Sequence, residues 1–361
     1  MVCILMAYTN VKHKTILKLY TVVLCVMGFF YLPYETADLY RTFETMDWYA
    51  TIDFPQFFND FVKTSSVPVS RMLYWVVGKS GIYGLLPILS AFICYSSFFY
   101  TIEKTQEIYS ISRKNVAISL FFLMTLSIYI SVIGGIRMMI AISLIVFCFF
   151  RESVEHKFRW YNMLLYLIAV FMHDMALILL AIRFIALVLD SRHNIYVRII
   201  LTLAIVGVGI AFGIMFNYQI EQVFEKIVGY LTGDNYSYIW EYIIGVLIAI
   251  TYTVVIVKYR ILNKNHKYTS LNAYSIATIV SGVAAVLCCF DFSIFYRFIG
   301  HVVPLLGAPM MMITLEQSNK TLLTKRKQIS FQTIILVMSL AIFALSCTRG
   351  SLCSLKFFVL S

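Results

Sequence analysis

The sequence predicts an all-α fold, a polytopic integral membrane bundle of about 11 transmembrane helices plus one short interfacial or re-entrant helix. Three observations carry this expectation. Hydrophobic residues make up 61% of the 361 positions and charged residues only 13%, where a soluble domain is nearer about half and about a quarter. That surplus of apolar side chains does not fit one core and must face lipid. Apolar runs long enough to cross the hydrocarbon recur along the chain. The net charge of +11 is split into short basic clusters between those runs, which reads as cytoplasmic loops and not as a nucleic-acid surface.

Taken in order, the chain opens with Lys12, Lys14 and Lys18 around the start of a first run, 16–32, that ends in Tyr31-Leu32-Pro33. No small-residue cleavage site follows, so this reads as an uncleaved first span. Further spans are expected at 82–102, 116–132, 136–150, 160–172, 175–189, 199–216, 239–257, 271–289, 298–315 and 329–347. The runs 136–150, 160–172 and 175–189 are short for a crossing, which calls for extension into a neighbouring loop or a thinned, protein-buried region. With the N-terminus inside, twenty of the 29 lysines and arginines fall on the cytoplasmic side, as the positive-inside bias requires.

Ser65-Ser66-Val67-Pro68 has the chemistry of a helix start, serines at the cap and proline in the first turn. The run it opens stops at Gly78 after about ten residues, roughly 15 Å, too short to cross. Two outer segments are long, 33–81 and 217–238. The first mixes Glu35, Asp38, Arg41, Glu44, Asp47 and Asp53 with aromatic residues. The second holds Glu221, Glu225, Asp234 and Asn235 among tyrosines. Carboxylates accept hydroxyl protons and ring faces stack on sugars, so both segments suit a glycan. They equally suit an aromatic interface belt with a solvated loop. No internal repeat or low-complexity linker divides the chain, which reads as a single transmembrane domain, 1–361. Of the eight cysteines, Cys25, Cys94, Cys148, Cys288 and Cys289 lie in apolar runs and read as small hydrophobes, while Cys347 and Cys353 fall where a pair could form outside.

Ionisable residues at membrane depth are costly and call for a reason. Arg137 follows Gly134-Gly135-Ile136 on the outer side, against the charge bias. It reads as a phosphate ligand, since guanidinium forks onto phosphate oxygens, or as the partner of a carboxylate or headgroup. His173-Asp174 forms a tight outer turn, suited to taking a proton from an attacking hydroxyl or to capping helix ends. Asp291 and Arg297 flank another outer turn, with His301 one helical turn deeper on the face of Arg297. Asp38 and Arg41 form a similar acid–base pair. Arg183, about 15 Å deeper than His173, reads as an arginine snorkelling to the inner face. P-loop, GxGxxG, GxSxG and HExxH motifs are absent. No acidic pair suited to a metal stands on an outer loop, and neither metal nor cofactor is implied.

Several of these pieces occur together in one family. The chain resembles the EpsG-like, Wzy-type polymerases of bacterial exopolysaccharide and O-antigen. The resemblance rests on Asp38-Leu39-Tyr40-Arg41, on Gly135-Ile136-Arg137-Met138-Met139-Ile140-Ala141, on Ala169-Val170-Phe171-Met172-His173 and on Phe295-Tyr296-Arg297-Phe298. It runs over roughly 15–315. Asp174 stands where the family usually has a small residue, and Val67-Pro68 where an acidic residue often precedes proline. The resemblance implies a membrane glycosyltransferase at the outer face of the bacterial cytoplasmic membrane. Its substrate would be an undecaprenyl-diphosphate-linked oligosaccharide, transferred from one lipid carrier to the sugar of another. A flippase and a chain-length regulator would be its protein partners. On that reading Arg137 and Arg297 hold diphosphate, and His173 acts as base or orients the acceptor. Asp38, Arg41, Asp291 and His301 contact sugar or support the network. The rival readings are a flippase or transporter of lipid-linked sugars, another glycosyl- or acyltransferase of the envelope, and a non-enzymatic assembly subunit.

Overall fold

The computed structural model describes residues 2–8, 11–33, 37–126, 128–155, 159–190, 239–263, 269–289, 292–321 and 325–348, with isolated positions between them. The expected span 199–216 (scattered positions apart), the outer segment 217–238, Asp291 and Cys353 lie outside the described residues. The regular elements described are helices.

A short α1, Val2–Tyr8, leads into α2, His13–Phe29. Three cap helices follow: α3, Asp38–Ala50; α4, Phe54–Phe57, which runs on as a π-helical turn, Phe58–Val62; and α5, Pro68–Ser80. Next come α6, Leu85–Tyr109, α7, Arg113–Thr125, α8, Ile128–Gly134, α9, Ile136–Glu155, α10, Trp160–Met172, and α11, Met175–Leu189. After the undescribed stretch come α12, Ile239–Leu262, α13, Asn272–Leu287, and α14, Phe292–Tyr296. A π-helical turn, Arg297–Val302, joins α14 to α15, Val303–Thr321, and α16, Lys325–Thr348, completes the described chain.

Three of these stretches are long and apolar enough to cross a membrane: Leu85–Tyr109, Tyr242–Leu262 and Ile294–Ser318. Four shorter apolar helices accompany them, Trp160–Met172, Met175–Leu189, Asn272–Leu287 and Phe331–Leu345. Of the short runs, 136–150 is lengthened to 20 residues by continuing through Arg151 to Glu155. The other two remain at 13 and 15 residues. The expected span 116–132 is instead broken at Leu126 into α7 and α8. Helix α8 itself ends at Gly134, leaving its last carbonyls without intrahelical partners, and the Ser90 hydroxyl takes one of them, donating to Val132 O at 2.5 Å.

Ile294–Ser318 is buried from Phe298 onward and forms the central rod. Its neighbours run alternately up and down, which the polar contacts establish. Lys14 pairs with Glu103 at 2.9 Å at one end of α2 and α6, and Gly28 meets Pro87 at the other. At the Lys14 end three buried polar clusters tie the helices together. Glu152 of α9 accepts hydrogen bonds from Asn162 Nδ2 and Tyr166 OH at 2.9 Å and from Arg183 Nη2 at 2.6 Å. Asn272 bridges Asp190 at 2.7 Å and Arg260 at 3.1 Å. Glu316 accepts from Ser112 N at 2.8 Å and from Asn115 Nδ2 at 2.9 Å, and Gln332 donates to Asn115 Oδ1 at 2.7 Å.

Arg183 is therefore not a snorkelling residue. It is 8% exposed and bound to Glu152 among Tyr166, Phe184 and Phe149. A carboxylate one helix away offers a better partner than a long reach to water, since an unpaired buried charge is so costly.

The cap closes the opposite end. The segment expected as a loop holding one short helix is three helices. Leu39, Met46 and Tyr49 recur at helical spacing and turn inward from α3. Pro68 stands in the first turn of α5, as expected, and Gly81 ends it in the left-handed conformation, φ +68°. The α3–α5 crossing is close at Gly78, where a Cβ would fall 2.5 Å from Met46 O. Trp75 stacks on Phe57 and donates Nε1–H to Ile52 O at 3.2 Å. Tyr83 hydrogen-bonds Asp47 and stacks on Phe43, fastening the cap to the start of α6.

Candidate functional site

The hydrogen bond between Glu152 and Asn162 levels α9 with α10 at the end away from the cap. Arg137 lies fifteen residues before Glu152 and His173 eleven residues after Asn162, about 22 and 16 Å along the helices. Both therefore reach the cap end, at heights about 6 Å apart. Helix α5 packs on α10 and covers this place. Arg137 opens α9 with its side chain exposed, its guanidinium carbon 5.9 Å from the centre of the Tyr74 ring on α5, within cation–π range. Tyr74 is buried, which pushes its phenol up from the ordinary value, while the charge of Arg137 pulls it down. Asp38, Tyr49 and the Thr42 hydroxyl of α3 also act on that phenol.

One turn before Tyr74 on the same helix, Arg71 donates from Nε to Ser65 Oγ and from Nη1 to Tyr49 OH, both at 2.8 Å. Arg41 instead turns to Asp38 at 3.8 Å on the exposed side of α3. Among the described residues no carboxylate lies within ion-pair distance of Arg137 or Arg71.

His173 ends α10 in an extended conformation, φ −162° and ψ 137°. Its Nδ1 accepts the backbone N–H of Met175 at 3.0 Å. The ring thus caps α11, while Asp174, at the N-cap position, makes no capping hydrogen bond through its side chain. A neutral imidazole that accepts at Nδ1 carries its proton on Nε2. In this arrangement His173 offers a hydrogen-bond donor at Nε2.

Arg297 opens the π-helical turn of the central rod and His301 lies within it. Glu316, in the cluster at the far end, is nineteen residues beyond Arg297, about 28 Å, so Arg297 also belongs to the cap end. His301 is 3% exposed, edge-on to Tyr296 at 5.3 Å, and its Nδ1 has no hydrogen-bond partner among the described residues. Such turns widen a helix locally and are frequent at functional sites. The structure thus brings Arg137 against the cap and places His173, at the end of α10, and Arg297 and His301, in one π-helical turn, at the same end. The expected partnership of Asp291 with Arg297 falls outside the described residues.

Residues 56–358 match the EpsG family. The chain belongs to the EpsG family. No curated protein and no solved structure matches it. As an EpsG-family chain it is a multi-pass membrane protein of polysaccharide biosynthesis, in a family of glycosyltransferase-type polysaccharide polymerases.

Sequence reasoning singled out Arg137 in this EpsG-family protein but not Arg71 or Tyr74. A signal existed: Arg71 is an outer arginine against the charge bias, as Arg137 is, and Tyr74 stands at helical spacing from it. Among the described residues no group of three or more His, Cys, Asp or Glu side chains suits a metal ion. What the site offers is fixed positive charge, phenol and imidazole donors, and aromatic faces at one end of an apolar bundle.

Proposed function

We propose that this protein is a polymerase that joins undecaprenyl-diphosphate-linked oligosaccharide repeat units at the outer face of the bacterial cytoplasmic membrane. The observation that carries the reading is Arg137, a cation without a carboxylate partner among the described residues, held over Tyr74 at the cap end. In the reaction the bond from the anomeric carbon to the diphosphate oxygen breaks, and its electron pair leaves on the diphosphate. The acceptor hydroxyl oxygen forms the new glycosidic bond, and its proton passes to water or to the departing diphosphate. Positive charge fixed where negative charge develops lowers that barrier. Arg137 and Arg297 meet the diphosphate. His173, protonated at Nε2, donates to a diphosphate or sugar oxygen, a role its Nδ1 bond to Met175 favours over that of a base. The exposed Asp38–Arg41 pair and the rings of the cap orient sugar, and His301 supports Arg297 from below. Placing the N-terminus in the cytoplasm sets the cap outside, in keeping with the basic clusters at the opposite end.

A flippase would need polar groups along a path through the bundle. Here the central rod between His301 and Glu316 is apolar but for Thr314, which favours chemistry at one face.

The test is purified protein in nanodiscs given a lipid-linked repeat unit, with products resolved on a gel. Wild-type protein should yield a ladder of polymer, and Arg137→Ala should leave single repeat units, with a rate at least about a hundredfold lower. Full-length polymer from the variant would remove Arg137 from the reaction, and the absence of a ladder from active, folded wild type would sink the polymerase reading.

A further inference from the structure

Arg71 has no part in the reading above, yet like Arg137 it has no carboxylate within ion-pair distance among the described residues. The described arginines Arg41, Arg159 and Arg183 each pair with a carboxylate, at 3.8, 2.8 and 2.6 Å. Arg71 does not. Its hydrogen-bond partners are two neutral hydroxyls, Ser65 Oγ and Tyr49 OH. These fix the guanidinium through Nε and Nη1, with no carboxylate within ion-pair distance among the described residues.

Such an arrangement is preorganised for an anion, because the ordering of a long side chain has been completed before the ligand arrives. Tyr74 stands one turn further along α5, its Cβ about 5–6 Å from that of Arg71 on the same face. Arg137 covers the Tyr74 ring at 5.9 Å. Arg71 and Arg137 thus both neighbour Tyr74, Arg71 from one turn back on α5 and Arg137 over its ring. Burial keeps that phenol protonated and able to donate.

We propose that Arg71, Tyr74 and Arg137 form one anion-binding cleft between the cap and the bundle, in which α5 supplies a further cation, beside Arg137 and Arg297, for the diphosphate of a lipid-linked sugar. The proposal rests on the polymerase reading and deepens it. The two cations come from different elements, Arg71 from α5 of the cap and Arg137 from the first turn of α9. Two separated positive charges suit two linked phosphoryl groups better than a single phosphate. The same chemistry could be met by a phospholipid headgroup, and the experiment distinguishes the two.

Binding is read by the fluorescence of Trp75 and Trp48 of the cap in purified full-length protein, in nanodiscs of zwitterionic lipid, titrated with undecaprenyl diphosphate, undecaprenyl monophosphate or phosphatidylglycerol. Wild type should bind the diphosphate most tightly. Arg71→Gln keeps a hydrogen-bond donor near Ser65 and Tyr49 but removes the charge, and should weaken diphosphate binding at least about tenfold. Arg71→Lys should fall between the two, and Tyr49→Phe, which loosens Arg71 without touching its charge, should weaken binding a few-fold. Unchanged diphosphate affinity in folded Arg71→Gln would overturn the cleft. Equal affinity of wild type for phosphatidylglycerol would also overturn it, assigning the site to membrane lipid. Arg71-dependent diphosphate binding in a protein that makes no polymer would sink the polymerase reading and leave the cleft standing. A ladder that depends on Arg137 beside binding indifferent to Arg71 would do the reverse.

Discussion

At the scale of single residues, the Glu152–Arg183 pair shows what burial does to charge. Glu152 accepts hydrogen bonds from three side chains, so its charge is met on several sides. Removing the acid alone, as in Glu152→Ala, strands a buried guanidinium, and the expected loss is about 3–5 kcal/mol. Replacing both partners together by Leu and Met should cost much less. Thermal unfolding in detergent measures both, and equal losses in the single and double variants would contradict the pairing. None of this was legible in sequence, because the two residues lie 31 positions apart and nothing local marks either as the other's partner. Arg137 was legible for the opposite reason. Its oddity is local, a cation on the side where cations are scarce, and no long-range pairing is needed to notice it. Arg71 shared that oddity, but the structure was needed to show that its hydrogen-bond partners are neutral hydroxyls and that its helix faces Arg137.

At the scale of elements, apolar length was a good guide and amphipathic helices were the blind spot. The runs 160–172 and 175–189 coincide with α10 and α11, since an apolar helix in a bundle ends where its apolar residues end. Helix α3 carries charge on one side and Leu39, Met46 and Tyr49 on the other, and its low mean hydropathy reads as loop unless the 3.6-residue period is followed. The break at Leu126 had no local sign either, for the run continues without proline or glycine on both sides. The cap hairpin depends on one close approach. Gly78→Ala would push a methyl group to 2.5 Å from Met46 O, a backbone atom that cannot rotate away. The expected result is a cap displaced from its packed position, at a cost of about 1–3 kcal/mol, with faster proteolysis between residues 51 and 67 than in wild type. Unaltered proteolysis would mean that α3 and α5 separate without penalty.

At the scale of the whole molecule, the bundle has two unlike ends, one tied by buried acid–amide clusters and one closed by an aromatic cap. The outer-face reading makes these ends sense opposite compartments. In a variant cleared of its eight native cysteines, a cysteine replacing Arg41, whose side chain is 66% exposed, should react with a membrane-impermeant maleimide in intact cells. A cysteine replacing Arg159, 47% exposed, should react only after permeabilisation. The reverse pattern would place the cap in the cytoplasm and remove the outer-face reaction. The shortness of α10 and α11 has a consequence for where such a reaction sits. At 13 and 15 residues they span about 20 and 22 Å, some 10 Å less than the bilayer's oily layer. Their ends away from the cap are tied to neighbouring helices through Glu152 and Asp190, and His173 and Asp174 join their other ends. On the outer-face reading, the floor beneath α5 lies where these two helices fall short of the oily layer. A wet sugar and a greasy tail can share one level there, and neither has to be dragged into the other's medium.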